Sequence, residues 1–99
     1  MLIALLDLHT TPADRMTALA QLDGERDEIR AMPGNVDFRV FAARDDDGGV
    51  TVIHEWADEP SFAAYLSSEA FERSGTVLRP LMTVPPVSRR FRASLLETV

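Results

Sequence analysis

Four side chains of this 99-residue chain have the types and spacing to act together chemically. His54 and Trp56 alternate onto one face of the β-branched stretch Val50 to Trp56, and Tyr65 follows on the next element. Asp7 shares a face with Ile3, Leu5 and His9 in an equally apolar stretch at residues 1–8. A carboxylate set in an apolar wall has a raised pKa unless it is paired, and an imidazole partner keeps it charged while the ring is oriented. His54 therefore reads as a general base, Asp7 as its orienter, and Tyr65 and Trp56 as hydrogen-bond donors and aromatic walls. Such a set can remove a proton from a phenol or a carbon acid in a dry pocket and stabilise the resulting oxyanion. The bland reading stands beside it: a hydrogen-bonded structural pair, with Trp56 and Tyr65 as core packing. A third reading takes Asp7, His9 and His54 as two histidines and a carboxylate able to hold ferrous iron.

The elements that must position these groups are legible from periodicity. Residues 1–8 predict a strand that is apolar on both faces, as a central strand is. Thr11-Pro12-Ala13-Asp14 predicts a helix start, with Thr11 as cap and Asp14 closing a box. That helix is expected to run toward Met32, with Ala13, Met16, Leu19 and Ala20 as its apolar stripe and a kink near Gly24, where the stripe slips. Val36 to Arg44 alternates as a second strand. Asp45-Asp46-Asp47-Gly48-Gly49 predicts a hairpin turn with positive φ at Asp47-Gly48. Its aspartates lack the alternate spacing and distal glutamate of a calcium loop. Val50 to Trp56 is the third strand. Asp58 caps a helix with Pro60 in its first turn, and Ser68 caps a continuation along Phe71, Gly75, Leu78 and Met82. After Pro85-Pro86, Val87 to Leu96 is the fourth strand.

The order strand, helix, strand, strand, helix, strand predicts one domain over residues 1–99. Its class is α+β: a ferredoxin-like split βαβ with a four-stranded antiparallel sheet and helices on one face. The expected strand order is four, one, three, two, with strands one and three side by side and parallel. Leu2, Ala4, Leu6 and Leu8 would then face away from the helices. Burying them could contribute several kcal/mol, at roughly 1.5–3 kcal/mol for a leucine-sized side chain. A second copy, sheet against sheet, is the simplest cover.

Composition excludes some classes. The formal charge of −6 disfavours a phosphate backbone as partner, and there is no cysteine for a disulfide, a thiolate nucleophile or a cysteine zinc site. Arg89, Arg90 and Arg92 do not form one patch on a strand and read as edge protection. The apolar start is too short to span a bilayer and lacks a signal-peptide pattern, so a cytoplasmic protein without membrane partners is expected.

At Glu55-Trp56-Ala57-Asp58, with Phe62, Tyr65 and Phe71 following, the chain resembles the antibiotic biosynthesis monooxygenase family. Pro33-Gly34 before the second strand and the strand after Val84-Pro85-Pro86 match it too. The resemblance implies a ferredoxin-like domain that dimerises through its sheets into an α+β barrel. It implies oxidation of a small phenolic, quinol or anthrone-like substrate with molecular oxygen and without cofactor. The implied pocket lies between sheet and helices, lined by Trp56, Val52, Phe62, Leu5, Phe38, Phe71 and Leu78. Trp56 corresponds to a pocket tryptophan of the anthrone oxidisers, whose partner asparagine is Val52 here. The haem-degrading members' asparagine, tryptophan and histidine correspond to Asp7, Tyr65 and Gly75, which leaves no axial ligand. A dimeric module that binds an apolar ligand or a protein without turnover is the alternative.

Overall fold

A computed structural model describes all residues 1–99. In chain order it contains β1 (Leu2–His9), α1 (Arg15–Arg30), β2 (Asn35–Ala42), β3 (Gly49–Trp56), α2 (Glu59–Leu66), α3 (Glu69–Leu78), a 3-10 turn (Arg79–Leu81) and β4 (Val87–Arg92). The strands form one open sheet in the order β2-β3-β1-β4, with every neighbouring pair antiparallel. This is the expected α+β ferredoxin-like arrangement.

The expected parallel pairing of β1 and β3 is corrected. The two strands run antiparallel, with Leu2 opposite Trp56, Ala4 opposite His54, Leu6 opposite Val52 and Leu8 opposite Val50. The physical reason lies in connectivity. The crossover through α1 makes β1 and β2 the parallel pair, and the hairpin from β2 to β3 then turns β3 against both. The faces of β1 are corrected with it. Leu2, Ala4 and Leu8 are buried with Val50, Val52, His54 and Trp56 beneath the helices. Ile3, Leu5, Asp7 and His9 belong to the open face of the sheet. Both residue sets of β1 are apolar, so alternation alone could not say which one the helices cover.

Helix α1 begins three residues later than expected. Asp14 is its N-cap without a side-chain cap hydrogen bond, and the helix passes Gly24 unbroken. Its buried face is Ala18, Leu22, Glu25 and Ile29, whereas Met16 is exposed. The spacing of four, three and four is regular helical periodicity. A glutamate in the buried row disguised it as a slipped stripe. The β2–β3 turn also differs: no residue there has positive φ, and the Asp46 carboxylate holds it by accepting the Gly48 N–H at 3.0 Å. Strand β4 ends at Arg92, four residues before the expected Leu96.

Two caps set the entry to the second helical layer. Asp58 accepts from the Ser61 N–H at 2.8 Å, and Ser68 Oγ accepts from the Phe71 N–H at 3.2 Å. Gly34 holds the preceding loop at φ 81°, where a Cβ would collide with the Ser61 side chain. Its carbonyl accepts from the Ala57 N–H at 2.7 Å, tying that loop to the end of β3. Gly34→Ala is therefore expected to destabilise by roughly 1–3 kcal/mol through backbone strain and collision together. Urea unfolding of the variant reads this directly; an unchanged midpoint would show that the loop can open without loss.

Candidate active site

Strand β3 delivers His54 and Trp56 to the helix side of the sheet, and α2 lays Phe62 and Tyr65 over them. His54 is 5% exposed and Trp56 fully buried. Around the imidazole stand Phe38 at 5.5 Å, Tyr65 at 5.6 Å, Phe62 at 5.7 Å and Trp56 at 6.2 Å between ring centroids. Trp56 stacks on Tyr65 at 5.1 Å, and Phe71, partly exposed, meets the edge of Tyr65 at 5.3 Å. Val52 and Leu78 belong to the same buried cluster. The sequence thus placed Phe38, Val52, His54, Trp56, Phe62, Tyr65, Phe71 and Leu78 in one region, and the fold brings them together.

It does not bring Asp7 or Leu5. Both lie on the open face, where Asp7 Oδ1 accepts from Thr51 Oγ1 at 2.6 Å. The expected Asp7–His54 pair is therefore corrected, because the two side chains project from opposite faces of the sheet. The iron site is corrected on the same ground, and His9 is occupied elsewhere. Its Nδ1 lies 2.8 Å from Thr83 Oγ1 and its Nε2 lies 3.0 Å from Asp46 Oδ1, which clasps the ends of three loops.

Trp56 orients His54 instead. Its indole Nε1–H donates to His54 Nδ1 at 2.9 Å. Indole nitrogen is only a donor, so Nδ1 must be the unprotonated nitrogen and the neutral ring carries its proton on Nε2. Burial, with the positive charge of Arg90 added, pushes the His54 pKa down to about 4, so the ring is neutral at neutral pH. Burial and the charge of Glu25 push the Tyr65 phenol up to about 12, so it keeps its proton. His54 Nε2 and the Tyr65 hydroxyl have no partner within the chain, and neither is sealed from solvent. The expected base thus presents a donor: the cluster offers an N–H and an O–H to a ligand, an arrangement that stabilises negative charge.

Two contributors were not legible as site residues. Glu25 is buried on α1, where Arg73 of α3 binds it through two hydrogen bonds of 3.0 and 3.2 Å. Those bonds hold its carboxyl below the usual carboxylate range, against the upward push of burial. Arg90 of β4 lies with its guanidinium carbon 5.0 Å from the Phe62 ring centroid. A contact between a β4 cation and an aromatic ring of α2 could not be foreseen from strand periodicity alone. Tyr65 lines an open depression of about 480 Å³ with Met32 and Pro60, and Arg90 lines a separate one of about 450 Å³ with Leu2 and Glu59; His54 and Trp56 line neither. The larger depression, about 680 Å³ beside Glu25 and Arg73, is lined almost wholly by polar residues. Apolar walls with few polar groups are the better ligand environment.

A family model described as antibiotic biosynthesis monooxygenase matches residues 1–74. Among solved structures, one described as an antibiotic biosynthesis monooxygenase superposes with a TM-score of 0.87 at 18% identity, covering 96% of this chain and 100% of its own. Rv0793 from Mycobacterium tuberculosis gives 0.87 at 17% identity, covering 99% of this chain and 98% of its own. A conserved protein from Methanosarcina mazei Go1 gives 0.88 at 16% identity, covering 94% and 92% respectively. At such identities these structures show the fold alone. Among curated protein sequences nothing matches significantly.

Proposed function

The chain belongs to the antibiotic biosynthesis monooxygenase family, and we propose that it is a cofactor-independent monooxygenase. Its substrate would be a small phenolic, quinol or anthrone-like aromatic bound as its anion at the His54 cluster. The single observation behind this reading is the Trp56–His54 hydrogen bond, which leaves Nε2–H without a partner in the ring cluster that also holds the unpartnered Tyr65 hydroxyl. Two donors meeting one ligand oxygen would favour the ionised form of a phenol or enol and lower its pKa, so that it binds as the anion with its proton left to solvent. The anion then gives one electron to molecular oxygen, and the two radicals join as a carbon–peroxide bond. Protonation and loss of water leave a ketone, so that CH2 and O2 become C=O and H2O. The aromatic walls keep bulk water from the anion and hold it flat.

A second copy on the open face completes this reading. Phe41, Val87 and Phe91 are 43%, 55% and 46% exposed there, beside Ile3, Leu5 and Ile53. An apolar sheet face of this kind favours a two-fold partner. Sedimentation is expected to give twice 11.0 kDa. No helix is long and apolar enough to cross a membrane.

Oxygen uptake with dithranol as an anthrone tests the enzymatic reading. One O2 consumed per substrate is expected, with a rate about 100–1,000-fold lower in Tyr65→Phe, in line with loss of one oxyanion donor. Binding of dithranol without oxygen uptake above the buffer rate would instead favour the non-enzymatic ligand-binding module.

A further inference from the structure

The row of side chains that crosses the sheet on its helix side reads Phe38, His54, Ala4, Arg90 from β2 to β4. Cross-strand neighbours stand about 4.5–5.5 Å apart, so only the methyl of Ala4 separates the strand positions of His54 and Arg90. Arg90 reaches back over Phe62, which is itself in contact range of His54. Its one hydrogen bond runs from Nε to Ser88 Oγ at 3.2 Å, which leaves the two terminal nitrogens of the guanidinium without a partner. The neighbouring cation on the same face is different: Arg92 is paired with Glu59 at 3.0 Å, which also neutralises the only carboxylate lining that depression. Arg89, between them, belongs to the open face. In a chain of net charge −6, one cation with free donors thus lies at the rim of a cluster whose other free groups are donors as well.

We propose that Arg90 is the anchor for an ionised carboxylate carried by the aromatic ligand, and so sets the substrate class as hydroxylated aromatic acids. This rests on the reading of the His54 cluster as the ligand site. The guanidinium fork matches a carboxylate through two parallel N–H···O bonds, a geometry that neither a neutral amide nor an alcohol reproduces. With the carboxylate on Arg90 and the ring against Phe62, the ligand's hydroxyl points inward toward His54 Nε2–H. The Arg90 charge, the lesser of the two causes that keep the imidazole neutral, is offset by the ligand, while burial keeps the ring neutral in the complex.

Anaerobic isothermal titration calorimetry with a hydroxynaphthoate and its neutral hydroxynaphthamide, near neutral pH, tests this. The acid is expected to bind about tenfold or more tightly than the amide, a difference of ~1.4 kcal/mol. Arg90→Met should bring the two within about twofold, Arg90→Lys should restore part of the ratio, and Arg89→Met should leave it intact. Equal affinities in the unaltered protein, an unchanged ratio in Arg90→Met, or no binding of either compound would overturn the assignment. Selective binding of the acid by a protein that consumes no oxygen with either compound would sink the oxygenase reading and leave the Arg90 anchor standing.

Discussion

Trp56→Ala is expected to remove about 3–5 kcal/mol of stability, the usual cost of emptying a buried tryptophan site. For a chain of this size that is a large part of a total margin of roughly 5–15 kcal/mol. The indole is fully buried and touches the rings of His54, Phe62 and Tyr65. It joins the centre of the sheet to α2. Trp56→Phe separates volume from hydrogen bonding. The phenyl ring fills most of the space but leaves His54 Nδ1 without its donor, at about 1–3 kcal/mol for a buried acceptor left unpaired. Urea denaturation of both variants measures the two contributions. Equal stability of Trp56→Phe and the parent would show that the indole–imidazole bond contributes nothing.

The second large effect is acid destabilisation through His54. Its folded-state pKa is about 4 against an ordinary 6.5, with burial the main cause and Arg90 the second. The unfolded chain therefore takes up the proton first as the pH falls. The depressed pKa costs nothing above about pH 6.5, lowers stability progressively between about 6.5 and 4, and reaches its full penalty below that. The size is on the order of 3 kcal/mol, from a difference of between two and three pK units. His54→Gln keeps an acceptor for Trp56 and removes the titration, so its stability should fall less over that interval. The Glu25 carboxyl, held low by Arg73, loses its contribution only at lower pH and does not mimic this slope. Parallel profiles for the parent and His54→Gln would contradict a neutral buried imidazole.

What the sequence disclosed about this site and what it hid have physical causes. Period-two alternation placed Val52, His54 and Trp56 on one face, and the side-chain caps at Asp58 and Ser68 marked both helix starts that cover them. The failure at Asp7 came from a strand with two apolar faces. Only the antiparallel register with β3 decides that Ala4 rather than Leu5 or Asp7 sits beside His54. The failure at α1 came from Glu25, a charge in a buried row made tolerable chiefly by its partner Arg73, 48 residues away. Arg90 reads as edge protection because a cation on an edge strand ordinarily faces water. Its position over Phe62 depends on how α2 crosses the sheet. The role of His54 needed atomic detail: sequence places an imidazole beside an indole, but only the contact at Nδ1 shows which nitrogen keeps the proton.

Trp56 locks His54 as a neutral ring with its proton on Nε2. Nitrogen-15 NMR of the imidazole in the ligand-free protein at neutral pH tests it most directly. A single tautomer is expected, with Nδ1 unprotonated and Nε2 protonated, persisting until the ring titrates near pH 4. Averaged nitrogen shifts with a midpoint near 6.5, or a proton found on Nδ1, would contradict it.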